Sequence, residues 1–379
     1  VTSHAPRPAA PTVARIDLGA LAHNYATLAQ RAGGRDVIAV VKADAYGHGA
    51  PEVARRLSGA GCRSFAVAVP SEAAQLRRAG VDAELLLLGG VNGLAEARAA
   101  LALRTVPVLH GDAQLAWVAE AARALDVRSA VHVEVDTGMR RLGVPAADAV
   151  SFLERVAASG PLALEGVSTH FARADEPDPA PTRMQLDVFR RVLSAARGRG
   201  VRLGRVHVAN SAGLLAARTW GEEVLEGDAV RPGLALYGVP PAPHLADADL
   251  RPVMTLETRV AAVRPIAGGE GVGYGHDWHA PRSGWVATLP IGYADGVPWA
   301  GARRGAVSIG GVRRPLAGRV SMDCLTVWLG DEPVAIGQEA IVFGTQPGTD
   351  VGTWAEAAGT IPYELLVRVG ARVARWVVP

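Results

Sequence analysis

The stretch "DVIAVVKADAYGHGAPEVARRLSGAGCRSFAVAV", residues 36–69, reads as an apolar run, a polar turn, a stretch of helical spacing and a second apolar run. The alternation continues outward. After "DVIAVV" (36–41) and "SFAVAV" (64–69) come "ELLLLGG" (84–90), "TVPVLH" (105–110), "AVHVEVD" (130–136), "LALEGVSTH" (162–170), "RVHVAN" (205–210) and "AVRPGLALYG" (229–238), eight runs in all. Between them lie Ala/Leu/Arg stretches such as "SEAAQLRRAG", "GDAQLAWVAEAARAL" and "PTRMQLDVFRRVLSAARGRG". Near-continuous apolar strands separated by helices imply a parallel sheet covered on both faces, and eight repeats over about 230 residues point to a closed (β/α)8 TIM-type barrel. An open doubly wound sheet is the competing architecture.

The texture changes after about residue 250. Alternating runs such as "TLETRVAAV", "WVATLP", "AVSIGG" and "EAIVFG" are separated by Gly, Pro and Asp, and no long helical pattern intervenes before "TWAEAAG". The sequence therefore predicts an α/β chain of three parts: a short disordered lead over 1–11, a barrel over 12–250, and a mainly antiparallel β domain over 251–379.

Composition narrows the function. A hydrophobic content of 49% with 20% charge is that of a folded globular chain. The net charge of +2 and the lack of any basic run argue against nucleic acid as a partner. Two cysteines, Cys62 and Cys324, form no CxxC pair, which fits a reducing, cytoplasmic setting and no structural metal. No segment reaches about 18 apolar residues, so no membrane span is expected.

The opening stretch also holds the only lysine of the chain, Lys42; the other 38 of 39 basic residues are arginine. Coding bias alone could leave one such residue. Arginine serves equally in salt bridges and on solvated faces, whereas only a lysine amine can be deprotonated and bond a carbonyl carbon. Placement adds to this, because reactive groups in such barrels gather at the C-terminal ends of the strands. Lys42 ends the first run; Glu134 and Asp136, with Arg141, follow the fifth. His170 ends the sixth, Asn210 and Ser211 the seventh, and Arg231 falls in the eighth.

The run "VVKADAYGHG" resembles the lysine motif of alanine racemases, pyridoxal 5'-phosphate (PLP) enzymes built from a barrel and a β domain. "VDTGMRRLG", "THFARAD", "VHVANSAG", "VRPGLALYG", "VGYGHDW", "PIGYADGVP", "GRVSMDC" and "IPYELL" resemble further family segments, in the family's order. The resemblance implies that Lys42 bonds PLP covalently and is one of two proton carriers, with Tyr274 acting on the opposite face of the substrate. It places Tyr46, Ser211, Gly233, Leu234 and Tyr363 around the phosphate. Arg231 would meet the pyridine nitrogen, backed by His170. Arg141 would lie by the cofactor's phenolic oxygen and the substrate carboxylate, with the Met322 backbone nearby, and Tyr293 and Asp323 would stand at the entrance. It further implies a homodimer with shared sites and the interconversion of L- and D-alanine for peptidoglycan. Where many family members carry a carbamylated lysine, this chain has Glu134, whose permanent carboxylate is expected to orient Arg141.

Plainer readings stand beside these. A lone histidine such as His170 is more often structural, "GGEGVGYG" around Tyr274 could be only a hairpin with glycine turns, and Met322 and Tyr363 would ordinarily be packing residues. The single "DTG" sits in the wrong architecture for an aspartic protease. A PLP-carrying barrel without racemase activity lacks the β domain. A decarboxylase of the same architecture would set an acid where Arg231 stands. A serine or broader-specificity racemase stays open.

Overall fold

The computed structural model describes residues 6–346 and 348–379. After β1 (Val13–Asp17) and α1 (Leu18–Arg31) come eight strands: β2 (Asp36–Val40), β3 (Ser64–Val67), β4 (Glu84–Leu87), β5 (Thr105–Leu109), β6 (Ser129–Asp136), β7 (Leu162–Ser168), β8 (Arg205–Asn210) and β9 (Ala229–Arg231). The intervening helices are α2 (Ala50–Gly59), α3 (Pro70–Arg78), α4 (Leu94–Ala102), α5 (Asp112–Ala124), α6 (Ala146–Ala158), α7 (Ala180–Gly198) and α8 (Ser211–Trp220).

Each of β2 to β8 pairs in parallel with the strand that follows it, and β9 returns to β2, so the sheet closes. These are the eight runs read from the sequence, and the open sheet is set aside. Every residue of β3 and β5 is buried, which is why these segments carry unbroken apolar runs instead of alternating ones.

The second domain contains β10 (Met254–Arg259), β11 (Ala262–Ile266), β12 (Gly284–Leu289), β13 (Ala306–Ile309), β14 (Val312–Pro315), β15 (Leu325–Gly330), β16 (Glu339–Phe343) and β17 (Ala374–Val378). Helices α9 (Val351–Ala358) and α10 (Pro362–Arg368) precede the last strand. One sheet has the order β14-β13-β16-β10-β1-β17 and another β11-β12-β15. All these pairings are antiparallel except β1 with β17.

The N-terminal boundary differs from the expected one. Val13–Asp17 lies between β10 and β17, so this strand belongs to the second domain and the chain enters the barrel through α1. The pairing is non-local and leaves no local pattern. Of the expected disordered lead, residues 1–5 lie outside the described residues, while Arg7 Nε donates to the buried Glu257 carboxylate at 3.2 Å. No helix among the described residues is long and apolar enough to cross a membrane.

Asn24 fastens α1 to the chain that leaves the barrel. Fully buried, it donates from Nδ2 to the carbonyls of Leu236 (3.0 Å) and Arg251 (2.8 Å) and accepts from Arg251 N–H (2.8 Å). Asn24→Ala strands those backbone groups, and urea unfolding is expected to show a loss of about 2–4 kcal/mol. A loss below about 0.5 kcal/mol would contradict this role.

Candidate active site

Lys42 follows β2 and opens a turn of unusual backbone. Ala43, Asp44, Ala45 and Tyr46 have φ of 53°, 52°, 56° and 54°, four consecutive non-glycine residues in the left-handed region. That conformation costs about 1–2 kcal/mol per residue, so the surroundings must hold it. Ala43 N–H donates to Glu72 Oε1 (2.6 Å), and Asp44 Oδ1 accepts from Ala50 N–H (2.8 Å) and Gln75 Nε2 (3.2 Å). The buried His48 ring turns Nδ1 to the carbonyls of Ala45 and Tyr46, both at 2.9 Å, so Nδ1 carries the hydrogen. Arg375 Nε donates to Gly47 O at 2.9 Å and ties the turn to the second domain.

Arg231, at the end of β9, is only 5% exposed. Its Nη1 donates to His207 O (2.8 Å) and His207 Nδ1 (2.5 Å). Its Nη2 donates to the carbonyls of Thr169 (2.8 Å) and Val208 (3.2 Å) and lies 3.3 Å from His170 Nδ1. Both terminal nitrogens are thus committed to the protein, which leaves Nε–H as the remaining donor. Burial lowers its pKa to about 10, still well above neutrality.

That cation fixes the histidines around it. His207 Nδ1 must accept from Arg231, so its hydrogen sits on Nε2 and is donated to His132 Nδ1 at 2.8 Å. Burial, then neighbouring arginines, lowers the pKa of His132 to about 3 and holds His207 well below its ordinary range. His170 is likewise lowered to about 3, by burial first and then by Arg231, Arg141 and Lys42. All three rings are neutral. Room for His132 exists because residue 166 is glycine: a Cβ there would sit 2.4 Å from the His132 ring.

The other end of the site is built from hydroxyls and backbone N–H groups. Ser211 Oγ accepts from Gly233 N–H (2.8 Å) and Ala235 N–H (3.2 Å), so its own hydrogen is directed elsewhere. A Cβ on residue 233 would lie 2.3 Å from the Tyr46 hydroxyl, so glycine there lets the phenol reach the backbone. Tyr46 packs against Tyr237 at 4.8 Å and Tyr363 at 6.1 Å between ring centres. Burial raises the pKa of both Tyr46 and Tyr363, Tyr363 to about 12, so each remains a neutral donor.

A cavity of about 480 Å³ joins these groups, with Lys42, Tyr46, Glu134, Arg141, His170, Ser211, Arg231, Gly233, Leu234 and Tyr363 all on its wall. Burial, then the charge of Arg141, pulls the Lys42 pKa below the ordinary lysine range, opposed by Glu72 and Glu134. A larger cavity of about 640 Å³ lies behind Tyr237 between the domains and is lined by none of these residues.

The sequence reading is corrected at Glu134. Both it and Arg141 reach the cavity, yet no ion pair joins them among the described residues. The reason is local: Asp136 organises the loop by accepting from Gly138 and Arg140 N–H, at 2.9 and 3.1 Å, and Arg141 is left exposed.

Four expected residues do not line the cavity. Tyr274, 72% exposed, caps a small hairpin in which Gly271 and Val272 pair with His279 and Trp278. Tyr293 N–H donates to Ser321 O (3.0 Å) and Ala294 N–H to Met322 O (3.1 Å), which sets the exposed Tyr293 and Met322 side by side. Arg372 bridges Asp295 (2.7 Å) and Asp323 (2.9 Å) on the same face. The structure thus divides the set into a barrel pocket and an exposed group on the second domain.

His207 and His132 lie inside strands, away from the strand ends where reactive groups are expected. Their signal is a polar residue inside a strand that is otherwise apolar, "RVHVAN" and "VHVEV", where a buried ring needs a partner.

The family pattern described as alanine racemase, N-terminal domain, matches residues 16–241, and that of the alanine racemase C-terminal domain matches 253–377. A curated alanine racemase of Mycobacterium ulcerans is 42% identical over 95% of this chain and 93% of its own, and that of Thermobifida fusca is 41% identical over 96% of each. The crystal structure of alanine racemase from Streptomyces lavendulae superposes with a TM-score of 0.92 at 36% identity, covering 98% of both chains. The alanine racemase of Bartonella henselae, solved with covalently bound pyridoxal phosphate, superposes at 0.87 with 30% identity over 97% of this chain and all of that one. With both family patterns matched in order along the chain and the cavity walled as described, this protein belongs to the alanine racemase family.

Proposed function

We propose that this enzyme interconverts L- and D-alanine with PLP as cofactor, using Lys42 and Tyr274 as proton carriers on opposite faces of the substrate. One observation carries the reading: the only lysine of the chain shares a cavity with a buried arginine and a cradle of hydroxyls, in a member of the alanine racemase family.

The residues fit the cofactor. A phosphate needs donors without competing negative charge, and the hydroxyls of Ser211, Tyr46 and Tyr363, with the Leu234 N–H, would supply neutral ones, while the Gly233 N–H is spent on orienting Ser211. The absent Cβ at Gly233 keeps that cradle open. When bound, PLP draws electrons from the substrate's Cα–H bond and makes that proton removable.

What the side chains do follows from their environments. The Lys42 amine, with a depressed pKa, spends more time neutral than an exposed lysine, which suits both bonding a carbonyl carbon and carrying the Cα proton. Arg231, whose Nε–H is the donor left free, would offer that hydrogen bond to the pyridine nitrogen and gives up no proton at neutral pH. His170 and His207, both neutral, hold the guanidinium plane without adding charge. Arg141, on the cavity wall, stands ready for the substrate carboxylate, and the Met322 backbone, outside this chain's cavity, would join it from the other subunit. Glu134, on the cavity wall, adds a negative charge that Lys42 feels. Tyr293 and Asp323 guard the entrance.

Tyr274 is 72% exposed on its own chain, which supports a homodimer in which each site takes this tyrosine from the other subunit. A small amino-acid substrate, no nucleic-acid partner and a cytoplasmic setting complete the reading, with D-alanine passing to cell-wall synthesis.

Lys42→Arg keeps the charge and removes the reactive amine. Racemisation, followed by chiral chromatography, is expected to vanish together with the visible absorbance of covalently held cofactor; a variant keeping both would return the lone lysine to chance. A second test mixes chains. Lys42→Ala and Tyr274→Ala are each inactive alone; after joint unfolding and reassembly about half the dimers are mixed, each with one intact site, so roughly a quarter of normal activity returns. Verified mixed dimers with no activity would place both residues in one chain.

A further inference from the structure

Helix α3 stands outside the cavity, and two of its side chains nonetheless reach the turn that carries Lys42. Glu72 and Gln75, three residues apart and so on one face of the helix, contact Ala43 and Asp44 respectively. Glu72 uses its two oxygens differently. Oε2 accepts from Ala68 N–H (2.7 Å) and Val69 N–H (3.3 Å), closing the start of its own helix. Oε1 crosses to the preceding strand–helix unit and accepts from Ala43 N–H at 2.6 Å.

Neighbouring units show what ordinary capping requires. Gln114 closes the start of α5 by accepting from His110 N–H at 2.6 Å, and Glu96 closes α4 by accepting from Asn92 N–H at 2.6 Å through one oxygen. An amide side chain, with its one acceptor oxygen, is therefore sufficient for the local role. Only a carboxylate offers the second acceptor that Ala43 N–H takes at position 72.

We propose that Glu72 is a positioning residue for Lys42, gripping Ala43 N–H with one oxygen and the end of β3 with the other so that the left-handed turn aims the amine into the cavity. Gln75 assists through Asp44. The inference rests on Lys42 being the reactive amine of this site. It also makes Glu72 one of the charged groups that the amine feels. Arg141 from the loop after β6 and Arg231 from β9 oppose its protonation, Glu134 from β6 and Glu72 from α3 favour it, and His170 after β7 stays neutral.

The test uses the full chain freed of cofactor, so that it does not depend on catalysis. With a single lysine, an amine-acylating reagent can label only Lys42 and the chain's α-amino group, which serves as internal reference; mass spectrometry then gives the pH midpoint of Lys42 reactivity. Glu72→Gln keeps a capping oxygen and loses the charge and the second acceptor. Its Lys42 midpoint is expected to fall by about half a unit to one unit. Amide hydrogen exchange over residues 43–47 is expected to quicken roughly tenfold or more while α3 stays protected. Glu96→Gln, the same change at a purely local cap, should alter neither.

Unchanged exchange over 43–47 in a folded Glu72→Gln protein would overturn the proposal. Faster exchange with an unmoved midpoint would overturn it too, by reducing Glu72 to a structural contact. Should Glu72→Gln fail to fold, Gln75→Met removes the other grip of the same helix, and exchange at 43–47 must still rise. If instead the midpoint and exchange move as expected but Lys42→Arg retains racemisation, the positioning stands and the catalytic assignment falls.

Discussion

The guanidinium of Arg231 is the constraint on which the site depends. It sits at the heart of the barrel, bonded to no carboxylate and held by the carbonyls of Thr169, His207 and Val208. A buried cation without an anionic partner is unfavourable for folding, and its pKa, drawn down to about 10, records that penalty. Stability alone would favour an apolar residue there. Under the proposed function, a group that donates hydrogen bonds but keeps its protons would be useful against a basic ring nitrogen, and that use would account for the cation.

Much of the surrounding structure answers to it. A charge that always donates obliges His207 Nδ1 to accept, which turns His207 Nε2–H toward His132. The His132 ring in turn needs the space left by Gly166. Protonating any of these rings would set a second cation beside the first, so the low pKa values of His132 and His170 belong to the same arrangement. At the opposite wall, the strained turn of Ala43–Tyr46 presents Lys42 to the same cavity. The barrel thus supplies two fixed nitrogens with opposite tasks: an amine eased toward losing its proton and a guanidinium that retains its own.

The sequence made the barrel legible because strands buried on both faces must be apolar throughout, as "SFAV" and "TVPVL" are. Position at strand ends then gathered Lys42, His170, Ser211 and Arg231, and resemblance added Tyr46, Gly233 and Leu234 on the same wall. Other features were hidden for physical reasons. The place of Val13–Asp17 in the second domain depends on partners more than 200 residues away. Nothing in "ADAY" signals a left-handed turn, since alanine disfavours it; contacts with Glu72, Gln75, His48 and Arg375 hold it. The Glu134–Arg141 pair failed because charge complementarity in a sequence says nothing of how a loop points its side chains.

The central claim is that Arg231 keeps its protons at the position that meets the ring nitrogen. The most direct measurement is the ratio of pyruvate formed to alanine racemised by Arg231→Glu loaded with PLP, because the introduced carboxyl can share a proton there where a guanidinium cannot. The account expects racemisation to fall and pyruvate per turnover to rise. A folded, cofactor-loaded variant with an unchanged ratio would contradict it.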